Sequence, residues 1–194
     1  MISTRRSNYL ALLAAAVFLI TGLVAAQGQE MNLTEPVQTT EKSINFRGFM
    51  AFSERTMAYR ADRLVNLDEF LELAEGRDTI ILDSRSAEAF AAGHIEGAVH
   101  LNFSDFTEDK LADVIPDRGT RILIYCNNNF IDDVEPVPAK SPQLALNIPT
   151  FVNLFGYGYL NVYELGEMVQ LDDDRLNWQS APESGRALIQ TAAL

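Results

Sequence analysis

From residue 64 onward, short apolar runs alternate along the chain with segments of mixed polarity. The apolar runs at 79–83 and 121–125 are rich in Ile and Leu and are bounded by polar residues, which predicts two buried strands. A short strand at 94–102 and a last strand at 160–165 are predicted on the same grounds. The strand at 121–125 ends directly before Cys126.

The segments between these strands carry helix signals. Asn66 is a suitable N-cap for the first helix. In the longest segment Ser141 is expected to cap the helix with Pro142 at its first position, and Pro149 is expected to kink or interrupt it. Helices are predicted at 66–76, 86–93, 105–115 and 141–158.

The alternation of strands and helices predicts an α/β fold with a central, mostly parallel sheet flanked by helices. In such sheets, ligands bind beyond the carboxyl ends of the strands. Cys126 follows the carboxyl end of a predicted strand, so its position is one where a functional site is expected.

The N-terminus has the pattern of a targeting signal. Two arginines, Arg5 and Arg6, precede an apolar run at 9–26 that ends in small residues, which is typical of a secretory signal peptide spanning 1–26. The protein is therefore expected to be periplasmic or secreted. The alternative is an uncleaved N-terminal anchor facing the periplasm, because the run is just long enough to span a bilayer.

The remaining chain divides by composition. Residues 27–63 are predicted to form a polar linker followed by an N-terminal extension, whose aromatic residues (Phe46, Phe49, Phe52 and Tyr59) are expected to pack on the domain. The folded domain is expected to span 64–171, and the tail at 172–194 to be irregular surface with a short helix near its end.

Charge narrows the possible partners. Acidic residues outnumber basic ones 27 to 15, which disfavours binding to nucleic acid or to an anionic membrane surface. Two scattered histidines and one cysteine do not suggest a zinc site, so neither a metal nor a cofactor is expected.

The chain has a single cysteine, so it cannot form an internal disulfide. In an oxidising exported compartment, an unpaired thiol is either buried and inert or exposed and reactive. Composition alone leaves both possibilities open for Cys126.

Several motifs, in order, resemble those of the rhodanese-like domain. An Asp-x-Arg follows one strand, a Gly-His-Ile-x-Gly-Ala stretch comes next, a Cys follows an apolar strand, and a glycine-aromatic turn leads into an Asn-Val strand. The residues are Asp83, Arg85, Gly93, His94, Ile95, Gly97, Ala98, Cys126, Gly158, Tyr159, Asn161 and Val162.

This resemblance implies sulfur transfer. The loop cysteine of such domains takes sulfane sulfur from a donor, becomes a persulfide and passes the sulfur to a nucleophile, so the partners would be a small sulfur-containing anion and a thiol or protein acceptor. Backbone N–H groups of the loop and the N-terminus of the next helix would stabilise the charged sulfur. The candidate residues are Cys126 as nucleophile, Asn127, Asn128, Asn129 and Phe130 around it, and Arg85 and Lys140 as cations.

The loop after Cys126 departs from the family pattern. Family enzymes have a short loop with Gly and Arg, whereas here about fifteen residues with neither precede Ser141. Carboxylates in that loop would oppose ionisation of the thiol and repel thiosulfate. Arg85 could equally be held in an ion pair with Asp83, and Lys140 could be a solvated surface lysine.

Three functions therefore remain open. The first is sulfur transfer through a Cys126 persulfide. The second is a non-catalytic module that uses the fold for partner binding or redox signalling in the cell envelope. The third, an arsenate or thiol reductase activity, ranks lowest because a single thiol would need an external thiol to complete the reaction.

Overall fold

The computed structural model describes residues 44–180, which contain a five-stranded sheet in the order β1-β6-β5-β2-β4. Every neighbouring pair of these strands is parallel, which confirms the predicted α/β architecture. A second sheet pairs β3 with β7 in antiparallel fashion. The strands are β1 (Leu64–Val65), β2 (Thr79–Asp83), β3 (Gly93–Ile95), β4 (Val99–His100), β5 (Arg121–Tyr125), β6 (Val162–Leu165) and β7 (Trp178–Ser180).

Five α-helices accompany the strands, and polar side chains cap several of them. Asn66 accepts a hydrogen bond from the Glu69 N–H (2.9 Å), which confirms the predicted cap. Ser86 caps the next helix through the Ala89 N–H (3.2 Å). The helices are α1 (Phe46–Ala61), α2 (Leu67–Ala74), α3 (Ala87–Ala92), α4 (Glu108–Val114) and α5 (Asn147–Gly156).

Both faces of the sheet are buried, because side chains alternate between the faces along each strand. In β5, Leu123 and Tyr125 pack with α2 on one face, whereas Ile122 and Ile124 pack with α4 and α5 on the other. The central strand is therefore apolar and buried from Ile122 to Tyr125, as expected for a parallel strand that is covered on both sides.

The N-terminal extension contains a helix, α1, that its sequence pattern does not predict. Phe52 and Tyr59 pack against Phe155 of α5, with ring centroids 5.5 and 5.1 Å apart. Phe46 and Phe49 are 72% and 46% exposed. The expected packing of the extension is thus correct for two of its four aromatic residues and wrong for the other two.

The helix predicted at 141–158 begins later than expected. Pro142 starts a short 3₁₀ turn, Pro142–Leu144, which the Ser141 side chain does not cap. The α-helix starts at Asn147, so Pro149 is its third residue. The predicted kink is absent because backbone N–H groups in the first turn of a helix have no intrahelical acceptor. A proline at this position therefore removes no helical hydrogen bond.

The tail differs from the expected irregular surface over the part that the structure describes. Leu176 is fully buried, and Trp178 in β7 packs against Phe130. The predicted signal peptide or anchor (1–26), the start of the linker and the predicted C-terminal helix lie outside the described residues. Among residues 44–180, no helix is long and apolar enough to cross a membrane.

Candidate functional site

Cys126 lies at the carboxyl end of β5, in the middle of the sheet, as the sequence predicts. The residue is only 1% exposed. Burial disfavours a charged thiolate and raises the pKa of the Cys126 thiol above its ordinary value. The sulfur atom is therefore buried at the carboxyl edge of the sheet, the edge where ligands bind in α/β proteins.

Backbone N–H groups oppose this effect of burial. The backbone N–H groups of Asn147, Asn128 and Leu146 favour the charged form of the thiol and so lower the pKa of Cys126 in part. The Asn128 donor comes from the 3₁₀ turn after the cysteine, Asn127–Asn129, and the other two come from the start of α5. Because the N-terminus of a helix also carries a partial positive charge, this arrangement favours an anion on the sulfur.

The long loop after the 3₁₀ turn leaves the cysteine and then returns. Phe130 forms a β-bridge with Val169, and Val137 is buried in the core cluster that contains Tyr125. The chain then comes back beside the 3₁₀ turn before α5 begins. The insertion therefore lengthens the path between the cysteine and the helix, yet the helix start still reaches the sulfur.

The asparagine side chains hold the loop in this path. Asn127 Nδ2 donates to the Pro138 carbonyl (2.9 Å), and Asn128 Nδ2 donates to the Lys140 carbonyl (2.6 Å). Asn128 Oδ1 also accepts from the Lys140 N–H (3.2 Å). The structure thus gives these two amide side chains a loop-holding role, and their predicted role toward a bound anion stays a prediction.

Asn129 is buried beneath the loop. Its Oδ1 accepts hydrogen bonds from the Cys126 N–H (2.9 Å) and from Asn147 Nδ2 (3.0 Å), and its Nδ2 donates to the Leu165 carbonyl (2.6 Å). One side chain therefore joins β5, β6 and α5 around the cysteine.

The other two predicted binding residues of the loop, Phe130 and Lys140, lie in different surroundings. Phe130 is 1% exposed and packs edge-on to Tyr125 and Trp178, so its side chain belongs to the core. Lys140 is exposed at the rim of the cavity described below.

Arg85 forms the ion pair that the sequence left as one of two alternatives. Its Nη2 lies 2.6 Å from Asp83 Oδ2, and the side chain is 3% exposed. The guanidinium also donates to the carbonyls of Gly93 (2.7 Å) and Pro136 (3.3 Å). Tyr125 completes the group by donating to Asp83 Oδ2 (2.5 Å). Arg85 therefore fastens β2, β3 and the long loop together.

A cavity of about 610 Å³ opens over this part of the sheet. Cys126 does not line it, but its neighbours Asn127 and Asn128 do. The cavity mixes charges, because Lys140, Glu88 and Glu135 all line it. Its remaining lining includes Arg85, Pro136 and Leu146.

Three residues near the sulfur were not predicted from the sequence. Glu164 of β6 is 4% exposed and receives hydrogen bonds from Asn147 Nδ2 (3.2 Å) and from Arg60 of α1. The signal available in the sequence was a glutamate in the middle of an otherwise apolar strand, because a buried carboxylate requires a partner. Nothing in the sequence shows that the partner is Arg60.

The described residues show no metal-binding cluster: between 44 and 180, no three His, Cys, Asp or Glu side chains are grouped to hold an ion. The expectation that the protein uses no cofactor stays a prediction from the sequence.

Comparisons with known proteins agree with the motif pattern. The family model described as the Rhodanese-like domain matches residues 66–137. No curated protein matches the chain.

Two solved structures are similar at low identity. The BH2092 protein from Bacillus halodurans is 17% identical, with a TM-score of 0.41 over 60% of this chain and 74% of its own. Thiosulfate sulfurtransferase from Pseudomonas aeruginosa is 20% identical, with a TM-score of 0.42 over 63% of this chain. The match covers 21% of that enzyme's length. The family match, together with the ordered motifs, identifies the segment at 66–137 as a rhodanese-like domain, which confirms the resemblance drawn from the sequence.

Proposed function

We propose that this protein is a sulfurtransferase that carries sulfane sulfur as a persulfide on Cys126. The observation that supports it most is the position of Cys126 at the carboxyl end of β5, next to the cysteine turn and the start of α5, whose backbone N–H groups lower the pKa of the thiol in part. A core cysteine with only a packing role has no need of such donors.

The proposed reaction has two displacements. The Cys126 thiolate attacks the sulfane sulfur of the donor, an S–S bond forms, and the donor's bond to that sulfur breaks with its electron pair leaving on the donor fragment, which is sulfite when the donor is thiosulfate. An acceptor thiolate then attacks the outer sulfur, and Cys126 leaves as a thiolate. Both forms of the cysteine are anionic, so the N–H groups and the helix start stabilise each of them.

The cavity beside the cysteine turn suits small partners. Its volume of about 610 Å³ lies in the range of ordinary small-molecule sites. Glu88 and Glu135 would repel a dianion such as thiosulfate, whereas Lys140 would attract it. We therefore propose a small persulfide or a thiol of low net charge as a better partner than thiosulfate.

A second candidate, a non-catalytic partner-binding module, is favoured by one observation. Cys126 is 1% exposed beneath a loop that is held by the Asn127 and Asn128 side chains. A donor can reach the sulfur only if this loop gives way. In this alternative the thiol is a buried core residue and the cavity binds a partner without chemistry.

The two candidates are separated by the intact mass of the protein after exposure to donors. A sulfurtransferase gains one sulfur atom from thiosulfate, or from a low-molecular-weight persulfide, and loses it on addition of a thiol reductant. The Cys126→Ser variant gains nothing, and because the chain has one cysteine, no other thiol can contribute. If the wild-type protein gains no sulfur from either donor while it remains folded, the persulfide proposal is wrong.

A further inference from the structure

Residues outside the matched family segment reach the cysteine site. Arg60 belongs to α1, which precedes residue 66, and Glu164 belongs to β6, which follows residue 137. Arg60 Nε and Nη2 lie 2.5 and 2.6 Å from the two carboxylate oxygens of Glu164, which is a two-pronged ion pair.

This ion pair continues by hydrogen bonds to the cysteine. Asn147 Nδ2 donates both to Glu164 Oε1 (3.2 Å) and to Asn129 Oδ1 (3.0 Å), and that same Asn129 oxygen accepts from the Cys126 N–H (2.9 Å). The backbone N–H of Asn147 also lowers the pKa of the Cys126 thiol in part. Asn147 therefore links the carboxylate to the cysteine.

The charge of Glu164 creates a difficulty for the site. A buried carboxylate beside a sulfur atom disfavours the thiolate and the persulfide anion. Its side chain is 6% exposed, so water screens it poorly. Arg60 opposes this penalty by placing a cation on the same carboxylate.

We propose that Arg60 is a positioning residue for Cys126: by pairing with Glu164 it offsets the negative charge beside the sulfur and holds the carboxylate that orients Asn147. The N-terminal helix α1 is then part of the site and not only a support for α5. An effect of Arg60 on catalysis depends on the proposed function. Its effect on the ionisation of Cys126 does not, because that ionisation can be measured without any sulfur donor.

The neighbouring elements carry few other charges. The cysteine turn contains only asparagines, and the first turn of α5 contains no acidic or basic residue. Asp83 and Arg85, on the β2 side, are paired with each other. The charged groups on these elements include Arg60 (α1), Glu164 (β6), Asp83 and Arg85 (β2 and the residues after it), and Glu135 and Lys140 of the long loop.

The test is a pH titration of thiolate absorbance in the ultraviolet, which does not require a reagent to reach the sulfur. Each protein is measured against its own Cys126→Ser counterpart, so that the tyrosines cancel. Arg60→Met removes the offsetting cation, and we expect the pKa of Cys126 to rise by about one unit, which leaves about tenfold less thiolate at neutral pH.

Two further variants separate charge from packing. Glu164→Gln removes the anion while Arg60 stays, so we expect more thiolate at neutral pH than in the wild-type protein. In the double variant Arg60→Met with Glu164→Gln, both charges are gone, and the titration should return close to that of the wild-type protein. Arg55→Met is the matched control, because Arg55 is an exposed arginine of the same helix, and we expect no change.

The inference is overturned if Arg60→Met titrates like the wild-type protein. It is also overturned if the double variant titrates like Arg60→Met alone, because the effect would then come from lost packing. Failure of this inference can be told apart from failure of the proposed function. If the wild-type protein accepts sulfur but Arg60→Met has no effect on the titration, only the inference about Arg60 is wrong. If the titrations follow the expected pattern but the protein takes up no sulfur, only the proposed sulfurtransferase activity is wrong.

Discussion

Two arginine–carboxylate pairs, each with a buried carboxylate, flank the end of β5, and they differ in how far apart their residues lie in the sequence. Asp83 and Arg85 are two residues apart on the β2 side. Arg60 and Glu164 are 104 residues apart in sequence and join α1 to β6. Exposure also differs, since the Arg85 side chain is 3% exposed and that of Arg60 is 31% exposed.

The two pairs serve different purposes. Arg85 divides its donors among Asp83 and the carbonyls of Gly93 and Pro136, so it acts as a cross-link between chain segments. The charge of Glu164 contributes to the raised pKa of the Cys126 thiol. The pKa of Arg60 is raised mainly by its hydrogen bond to Glu164 and in small part by Cys126. The local pair therefore maintains the fold, and the distant pair influences the Cys126 thiol.

The largest expected effect is on stability and compares the loss of each carboxylate. Asp83→Asn leaves the Arg85 guanidinium buried without its counter-ion, and we expect a loss of about 3–5 kcal/mol in the free energy of unfolding. Glu164→Gln leaves Arg60, which can reach water, so we expect a smaller loss of roughly 1 kcal/mol. Urea denaturation of the two variants measures both values.

Asp105→Asn is the control for these carboxylate variants. Asp105 pairs with Lys110 at the surface (2.6 Å), where both side chains are about half exposed. We expect this change to cost at most about 1 kcal/mol. Equal losses in Asp83→Asn and Asp105→Asn would contradict the cross-link role of Arg85.

The difference between the pairs also marks what the sequence could predict. Asp83, Arg85 and the cap Asn66 were identified because their signals are local: a strand end, a short motif and a residue type before a helix. The late start of α5 was missed because a capping signal at Ser141 is equally compatible with a 3₁₀ turn. Arg60 and Glu164 were missed because their contact exists only after α1 packs on α5.

Helix α1 shows a second limit of pattern reading. The only residue it buries fully is Thr56, and its aromatic contacts with the domain come from Phe52 and Tyr59. Because α1 has no continuous apolar stripe, the helical periodicity of its hydrophobic residues is weak in the sequence. Strands β2 and β5 are the opposite case, since burial on both faces leaves an apolar run that is easily recognised.

A smaller effect is expected in the pH dependence of stability. Burial raises the pKa of Cys126 above its ordinary value, so the folded thiol stays protonated at a pH where the unfolded thiol ionises. The resulting stability is fully present below the ordinary cysteine pKa and is lost as the pH rises through the pKa of the folded state. Between about pH 7 and about pH 10, the wild-type protein should lose on the order of 1 kcal/mol more than Cys126→Ala.

This difference isolates the cysteine, because burial also raises the pKa of Tyr125 but does so in both proteins. It also sharpens the comparison of the two pairs. Glu164→Gln should shrink the difference, since the carboxylate is one cause of the raised thiol pKa. A difference that is absent, or that grows in Glu164→Gln, would contradict a role of Glu164 at the thiol.

The smallest expected effect concerns the loop that runs between the two pairs. Asn128 holds the returning chain at Lys140 through two hydrogen bonds, and this return leads into α5, whose first residue, Asn147, links Glu164 to Cys126. Because these bonds are exposed, Asn128→Ala should cost only about 0.5–1 kcal/mol in stability. The loop should nevertheless open more often, so a neutral alkylating reagent should modify Cys126 several-fold faster, on the order of the change that this free energy implies.

Asn161→Ala is the matched control, because its Nδ2 donates a similar exposed bond to the Gly119 carbonyl (2.9 Å) at the other end of β5. A similar cost in both variants with faster alkylation in Asn128→Ala alone would identify the loop as the barrier to the sulfur, whereas unchanged alkylation in Asn128→Ala would place that barrier elsewhere.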